Sequence, residues 1–361
     1  MHEVEVLVVG GGQSGLAAGY HLRRAGFEPG EGFTILDADA SPGGAWQHMW
    51  SSLHLFSPAG YSSLPGWLMP SSPGEEFPPA SHVVDYLTRY EERYRLPVRH
   101  GVRVETVRRA YDDPQGRLLA TTSAGTWSAR ALVSATGTWS RPFVPHYPGM
   151  DVFGGRQVHS ADYRSPDDLA GLRVVIVGGG NTGAQLLAEV SEVADTTWVT
   201  PRPPRFLPDD VDGRVLFDVA TARKKALDAG EADPGGVRSL GDVVMVPSVR
   251  AARDRGVLTS RRVFERLTPT GVAWADGTEL PADVILWCTG YRPDLGHLTP
   301  LGLARDGGHP ATVGTRARDE PRVHLLGYGD WTGPASATLI GVGRTAASAA
   351  RDLRELLRTQ H

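Results

Sequence analysis

Two glycine-rich runs hold the residues of this chain whose spacing can do chemistry. The first is VLVVGGGQSGLAAG, with Gly10, Gly12 and Gly15; the second is VVIVGGGNTGAQLL, with Gly178, Gly180 and Gly183. Each follows an apolar stretch that reads as a strand and precedes a small-residue stretch that reads as a helix. Glycine at these positions lets the backbone turn tightly and approach a pyrophosphate. The helix start then offers unpaired amides and a partial positive charge. Gln13 and Ser14 in the first run, and Asn181 and Thr182 in the second, join the same cradles as candidate cofactor ligands. One such run is a weak signal. Two, each in strand–turn–helix context, point to two dinucleotides in one protein, most simply a flavin and a nicotinamide.

The residues after each second strand indicate which nucleotide goes where. An acid at that position accepts hydrogen bonds from the adenosine ribose hydroxyls. In the first unit the strand FTILD ends on Asp37, followed by Ala38, which suits FAD. In the second unit TTWVT is followed by no acid but by Arg202 and Arg205. Guanidinium groups there suit the 2′-phosphate of NADPH through charge-assisted, often bidentate, contacts.

Composition narrows the remaining choices. The chain has 361 residues, 40% of them hydrophobic, enough for a substantial core divided into two domains. Net charge is −4 with no long block of one sign, so nucleic acid is not an expected partner. No apolar stretch is long enough for a bilayer, and the N-terminus enters a strand at once, leaving no room for a signal peptide. A cytoplasmic protein without a membrane partner is expected. The one cysteine, Cys288, excludes an intrachain disulfide and a CxxC redox pair, and its setting in VILWCTGY reads as a buried strand. His54, His82 and His100 are too scattered for metal-ligand spacing, so no metal site is expected.

The elements that must position these residues give an α/β fold: two Rossmann-like dinucleotide-binding domains, the NADPH domain inserted in the FAD domain. The boundaries read as 1–165 and 293–361 for FAD and 166–292 for NADPH. Ser14 to Arg24 reads as a helix stopped near Gly26. SHVVDYLTRYEERYRL reads as an amphipathic helix with Val83, Val84, Leu87, Tyr90 and Tyr94 near one face. Residues 102–135 read as strands with turns at Gly116 and Gly125, and 209–240 carry no clear pattern. The last strand, VHLLGYG, needs the first sheet to pair with, and a helix is expected from about Ala335. The stretch 41–80, rich in Gly, Pro and Ser, holds Trp46, Trp50 and Trp67. A long irregular stretch inside a compact domain is usually functional or disordered, and the tryptophans argue for order.

These residues resemble a single-component, class B flavin-containing monooxygenase over nearly the whole chain. Phe153, Gly155, His159 and Tyr163 match the FxGxxxHxxx(Y/F) motif of that family, at the domain junction. Tyr163 favours the heteroatom-oxidising and YUCCA-like branch over the Baeyer–Villiger enzymes. Gly43, Gly44 and Trp46 fit GGxW; Thr136, Gly137 and Pro142 fit TGxxxxP; Thr289, Gly290 and Tyr291 complete CTGY. Gly329 and Asp330 resemble the motif whose acid binds the flavin ribityl chain, and the helix after it, with Thr338, would aim amides at the isoalloxazine. Val104 joins the implied FAD contacts. LHLFSPAGYSSLPGWLMP and GYGDWTGPASATLIGVGRT are similar to bacterial flavin monooxygenases of arsenic-resistance operons. One cysteine supplies no thiolate cluster for arsenite.

The resemblance implies that NADPH reduces FAD, that reduced flavin and dioxygen form a flavin hydroperoxide, and that oxygen passes to a small soft nucleophile (sulfur, nitrogen or arsenic(III)) or to a carbonyl. The family often places Asn or His beside the flavin in the early loop; here Phe56 takes that place, with His54 and Ser57 as polar neighbours. The loop at 46–69, with Trp46, Trp50, Phe56 and Trp67, would exclude water, although core packing alone accounts for at least half of such aromatics. For His159 a positioning role is preferred to an acid–base one. Dioxygen, a small substrate and at most a second copy of the chain, as a homodimer, are the expected partners. Two other readings stay open: an oxidoreductase or oxidase that passes electrons to a quinone, a protein or dioxygen, and a non-catalytic flavin redox sensor.

Overall fold

The computed structural model describes residues 1–112, 116–232 and 241–359. The chain forms two compact units: Met1–His48, Ser57–Ser140 and Pro293–His361 in one, Met49–Phe56 and Arg141–Arg292 in the other.

The first unit is built on a parallel sheet. β1 (His2–Val9) lies between β2 (Phe33–Leu36) and β6 (Gly125–Ser134), and β3 (Val98–Arg99) pairs with β2. The strand Val323–Leu325 pairs in parallel with β6, as its lack of a glycine turn of its own requires. β4 (Val104–Arg109) and β5 (Leu118–Thr122) extend antiparallel from β6. β1 and β2 become continuously apolar toward their ends because a central parallel strand is covered on both faces. Helix α1 (Gln13–Arg24) starts one residue before Ser14, and Gly26, at φ +87°, stops it in the left-handed conformation that glycine tolerates.

Helix α2 (Ala80–Tyr94) buries Ala80, Val83, Tyr86, Leu87 and Tyr90. Val84, expected on that face, is only half-buried, and Tyr86 takes its place. The tyrosines explain how the irregular loop is ordered. The Tyr86 hydroxyl donates to Trp67 O at 2.7 Å and accepts from Leu64 N at 2.8 Å, and the Tyr90 hydroxyl donates to Pro65 O at 2.6 Å. Those bonds satisfy buried polar groups on both the helix and the loop.

The second unit repeats the plan. Its parallel sheet runs β10 (Ser260–Arg262), β9 (Asp195–Thr200), β8 (Arg173–Val177), β14 (Val284–Trp287), β7 (Arg156–His159). Helices α3 (Asn181–Val190), α4 (Gly213–Asp228) and α5 (Pro247–Asp254) belong to it, and an antiparallel group of β11 (Arg266–Thr268), β12 (Gly271–Ala273) and β13 (Glu279–Pro281) precedes β14. Where 166–292 is expected, this unit takes in Met49–Phe56 and Arg141–Arg292, and β7 is already the edge strand of its sheet. α4 fills much of the unpatterned stretch 209–240; residues 233–240 of it lie outside the described residues.

The last helix, α6, spans Val342–Thr359 rather than beginning near Ala335. Gly333 at φ +126° and Ala335 at φ +60° keep the chain out of helical geometry there, so 333–341 is a run of tight turns. Among the described residues no helix is long and apolar enough to cross a membrane.

Candidate functional site

The first glycine turn sits where β1 ends and α1 begins. Gly10 has φ +106°, and a Cβ there would lie 2.4 Å from Ala135 O. A Cβ on Gly15 would lie 1.8 Å from Gly10 O, so the helix can close on the strand only with glycine at that position. α1 starts on Gly12 with no side-chain cap and no acid in its first turn, which leaves its amides for an anion. Gly44 continues this close approach, since its Cβ would stand 2.7 Å from Gly12 Cα.

Side chains then tie the turn to distant parts of the unit. Gln13 Nε2 donates to Ala337 O at 2.7 Å, and Trp46 Nε1 donates to Gln13 Oε1 at 3.0 Å. Gln13 therefore links Trp46 to the turn before α6. Ser14 is buried, and a Cβ on Gly327 would meet its Oγ at 2.0 Å. Sequence reading misses Gly327, whose role depends on packing between chain ends.

Asp37 follows β2 and is 6% exposed. The Gly11 amide donates to its carboxylate, yet Oδ2 is buried with no hydrogen-bond partner. Burial raises its pKa from the ordinary carboxylate value. An orphaned acceptor beside a glycine cradle is what ribose hydroxyls would satisfy. Ala38 next to it is exposed, and Val104 opens β4 half-buried.

Thr136 and Gly137 follow β6. Thr136 Oγ1 donates to Asp294 O at 2.6 Å and lies 2.7 Å from the Tyr328 hydroxyl, which also lies 2.6 Å from Ser134 Oγ. Ser134 in turn meets the buried His297, whose pKa burial lowers to about 4. This hydroxyl chain fixes the loop after β6 and is not legible as a sequence motif. Asp330 is exposed at the start of a short 3-10 turn, Asp330–Thr332. Thr338 Oγ1 accepts from Gly341 N at 3.0 Å, so it braces the turn before α6 instead of lying within a helix.

The second turn has the same construction. Gly178 has φ +133° and a Cβ there would meet Cys288 O at 2.2 Å; a Cβ on Gly183 would meet Gly178 O at 2.2 Å. Gly180, the uncapped start of α3, has nothing within 4 Å of its Cβ direction, so space for a ligand is open there. Asn181 Oδ1 accepts from Val244 N at 2.8 Å, and Thr182 is half-buried beside it in the first turn of α3. Thr289 Oγ1 donates to Phe143 O, and Phe143 N donates to Gly290 O at 2.9 Å.

Arg202 and Arg205 are exposed after β9, and both meet one carboxylate. Arg202 Nη2 lies 3.0 Å from Asp242 Oδ1; Arg205 Nε lies 3.2 Å from Asp242 Oδ2. The hydrogen bonds from Arg205 hold Asp242 below the usual carboxylate range. Two cations against one anion leave a net positive end to the strand.

His159 and Tyr163 are both buried in the second unit. Ala161 N donates to His159 Nδ1 at 3.0 Å, and Nε2 faces Gly290 O at 3.1 Å. With one nitrogen accepting and the other donating, the ring is the neutral tautomer, and burial lowers its pKa. Backbone groups occupy both nitrogens. His159 thus braces the CTGY segment, and Tyr291 packs edge-on against it at 5.1 Å. Burial pushes the Tyr291 phenol to about 12. The Tyr163 hydroxyl is buried beside Glu189 without a hydrogen bond of good geometry, and burial raises its pKa.

The early-loop residues are divided. His54 and Phe56 go with the second unit and Ser57 with the first. His54 is exposed with Nδ1 2.9 Å from Ser52 O; Phe56 packs against the second unit's core; Ser57 Oγ lies 2.9 Å from Ser62 Oγ. Trp50 is core of the second unit, and Trp67 packs on Tyr86 at 5.1 Å. Cys288 is buried and its thiol is pushed up by burial, which fits packing and not nucleophilic chemistry. Among the described residues no group of His, Cys, Asp or Glu is arranged for a metal.

Two glycine turns on two parallel sheets define a two-dinucleotide oxidoreductase. Residues 7–227 match the family model described as pyridine nucleotide-disulphide oxidoreductase. A flavin-containing monooxygenase from Stenotrophomonas maltophilia is 50% identical, with a TM-score of 0.87 over 99% of this chain and 100% of that one. An uncharacterized CzcO-like oxidoreductase of Geobacillus kaustophilus is 27% identical over 81% of this chain and 82% of its own length. The rice (Oryza sativa subsp. japonica) indole-3-pyruvate monooxygenase YUCCA1 is 28% identical over 80% of this chain and 77% of its own length. The chain belongs to the flavin monooxygenases of the pyridine nucleotide-disulphide oxidoreductase family. It is a flavin-dependent monooxygenase, with FAD and NADPH as cofactors.

Proposed function

We propose that the first unit holds FAD and the second NADPH, and that the enzyme oxygenates a small soft nucleophile, at sulfur, nitrogen or arsenic(III), or a carbonyl. The observation that supports this most is the contrast between two cradles of one design. The buried, orphaned Asp37 acceptor comes after the first, and the Arg202–Arg205 pair after the second.

In this assignment Gly10, Gly12, Gln13, Ser14 and Gly15 receive the FAD pyrophosphate, and Asp37 and Ala38 the adenosine ribose. Gly44, Trp46, Val104, Thr136, Gly137, Asp330 and Thr338 surround the rest. Gly178, Gly180, Asn181, Thr182 and Gly183 receive the NADPH pyrophosphate, Arg202 and Arg205 the 2′-phosphate, and Thr289, Gly290 and Tyr291 complete the NADPH contacts. His159 and Tyr163 hold the shape of that unit. His54, Phe56 and Ser57 remain the early-loop candidates for a role in the reaction. When bound, FAD would supply the redox chemistry that couples NADPH to dioxygen. The protein supplies orientation and dryness, so the reaction needs no nucleophile–base pair of its own.

The test is oxygen transfer from isotopically labelled dioxygen to thioethers, amines, ketones and arsenicals in the presence of NADPH. Label in a product at the rate of NADPH use supports the reading. NADPH use that yields only peroxide, whatever the substrate, overturns it in favour of an oxidase.

A further inference from the structure

One cluster in the first unit is not absorbed by the assignments above. In the parallel register, Leu36 pairs with Arg99, so the next residues, Asp37 and His100, come side by side. His100 Nδ1 lies 3.2 Å from Asp37 Oδ2, near enough for an ion pair though not aligned as a hydrogen bond. His100 Nε2 lies 3.2 Å from Glu91 Oε2 on α2. All three side chains are largely shielded: 18% exposed for His100, 9% for Asp37 and 16% for Glu91.

We propose that His100 is a positioning residue for FAD: clamped by Glu91, its imidazolium sets a positive charge against the buried Asp37 carboxylate and, together with the Gly11 amide, helps hold it as an acceptor for the adenosine ribose. Each ring nitrogen faces carboxylate oxygens only. A neutral ring would set a lone pair against an anion, whereas an imidazolium sets positive charge against both carboxylates. The other charged groups acting on the cluster are Asp39, in the turn after Asp37, and Glu92 on α2, both acidic. His48 pairs with Asp39, at 3.1 Å, and not with Asp37. His100 is thus the cation placed against Asp37. Burial, with the charge of Asp39 added, drives Asp37 toward the neutral acid; the Gly11 amide opposes that most, and the His100 charge and the Asp39 amide add to the opposition. A protonated Asp37 would turn one of its oxygens from acceptor to donor.

The inference rests on the reading that Asp37 holds the FAD ribose, and the experiment separates the two. FAD dissociation constants are measured by flavin fluorescence across pH for the apoprotein and for His100→Gln, His100→Arg and Asp37→Asn. Far-UV circular dichroism checks each fold. In the parent protein, affinity should fall on the acid side as Asp37 takes a proton. His100→Gln should bind about tenfold more weakly at neutral pH, and its acid limb should move to higher pH, because one of the groups that opposes Asp37 protonation is gone. His100→Arg, which keeps the charge, should retain tight binding and the parent acid limb. Nitrogen-15 NMR of labelled histidine should show both His100 nitrogens protonated at neutral pH. If Asp37→Asn binds FAD as the parent does, the ribose reading fails and this inference falls with it. If Asp37→Asn is weakened but His100→Gln keeps the parent affinity and pH profile, or the ring is a neutral tautomer, the ribose reading stands and the role of His100 is overturned.

Discussion

The two glycine turns share a backbone and differ in the side chains that come after it. Both put a glycine at strongly positive φ at the strand end, and both close with a glycine whose Cβ would strike the carbonyl of the first, at 1.8 Å in one and 2.2 Å in the other. Both helices then start uncapped. Beyond that point they part. The first leads to a buried carboxylate flanked by His100, and Gly12 packs near Gly44, 3.6 Å from its Cβ direction. The second leads to two exposed arginines that share Asp242, and Gly180 faces open space. The shared part suits any pyrophosphate. The divergent part is what selects a ribose hydroxyl or a 2′-phosphate, so on the proposed assignment specificity lies in side chains and not in the turn.

The largest effect expected from breaking this symmetry is at the closing glycines. Gly15→Val should abolish FAD retention and lower yield, because the Gly10 carbonyl is backbone and cannot move aside. Gly183→Val should disrupt the second unit's turn while the first still takes up FAD, read as a flavin-loaded protein that NADPH does not bleach anaerobically. Gly180→Leu sharpens the comparison. Its Cβ meets nothing, so the fold should hold and thermal stability should stay near that of the parent. Flavin reduction by NADPH should nonetheless fall by about 100-fold as the side chain fills ligand space.

A smaller effect is expected at Arg202. Arg202→Ala should raise the NADPH KM about tenfold and leave the NADH KM unchanged, since a charge-assisted contact to phosphate is lost only with the phosphorylated donor. Equal weakening of both donors would remove the 2′-phosphate assignment. The smallest kinetic change should come from His159→Gln. Losing the brace to Ala161 N and Gly290 O should cost about 1–2 kcal/mol of stability in a denaturant melt, and the pH profile of flavin reduction should not move. A lost limb in that profile would restore an acid–base role.

Much of this is legible in the sequence because it is local. A glycine required by a close approach, and the acid or arginine just after the second strand, occur at fixed distances along the chain. The features that sequence does not reveal are made by distant pairings. His100 reaches Asp37 only because β3 lies in register against β2. Asp242 reaches Arg202 and Arg205 from the far side of α4 in the sequence. Tyr86 escapes a reading of the helix alone because its hydroxyl needs the loop at 64–67 to be satisfied. Alanine and serine favour no break, so an early start for α6 is the natural expectation; the turn comes from Gly333 and a strained Ala335. Continuity alone would put residues 49–56 in the first unit, whereas burial of Trp50 joins them to the second.

The most direct test of monooxygenation is a stopped-flow experiment. The FAD-loaded enzyme is reduced anaerobically with NADPH and mixed with oxygenated buffer, with and without thioether, amine, ketone and arsenical substrates. A flavin monooxygenase should give a transient absorbance distinct from oxidised and reduced flavin, which decays faster when an oxygenated product forms. Direct return to oxidised flavin with one peroxide released per flavin, under every condition, would contradict it.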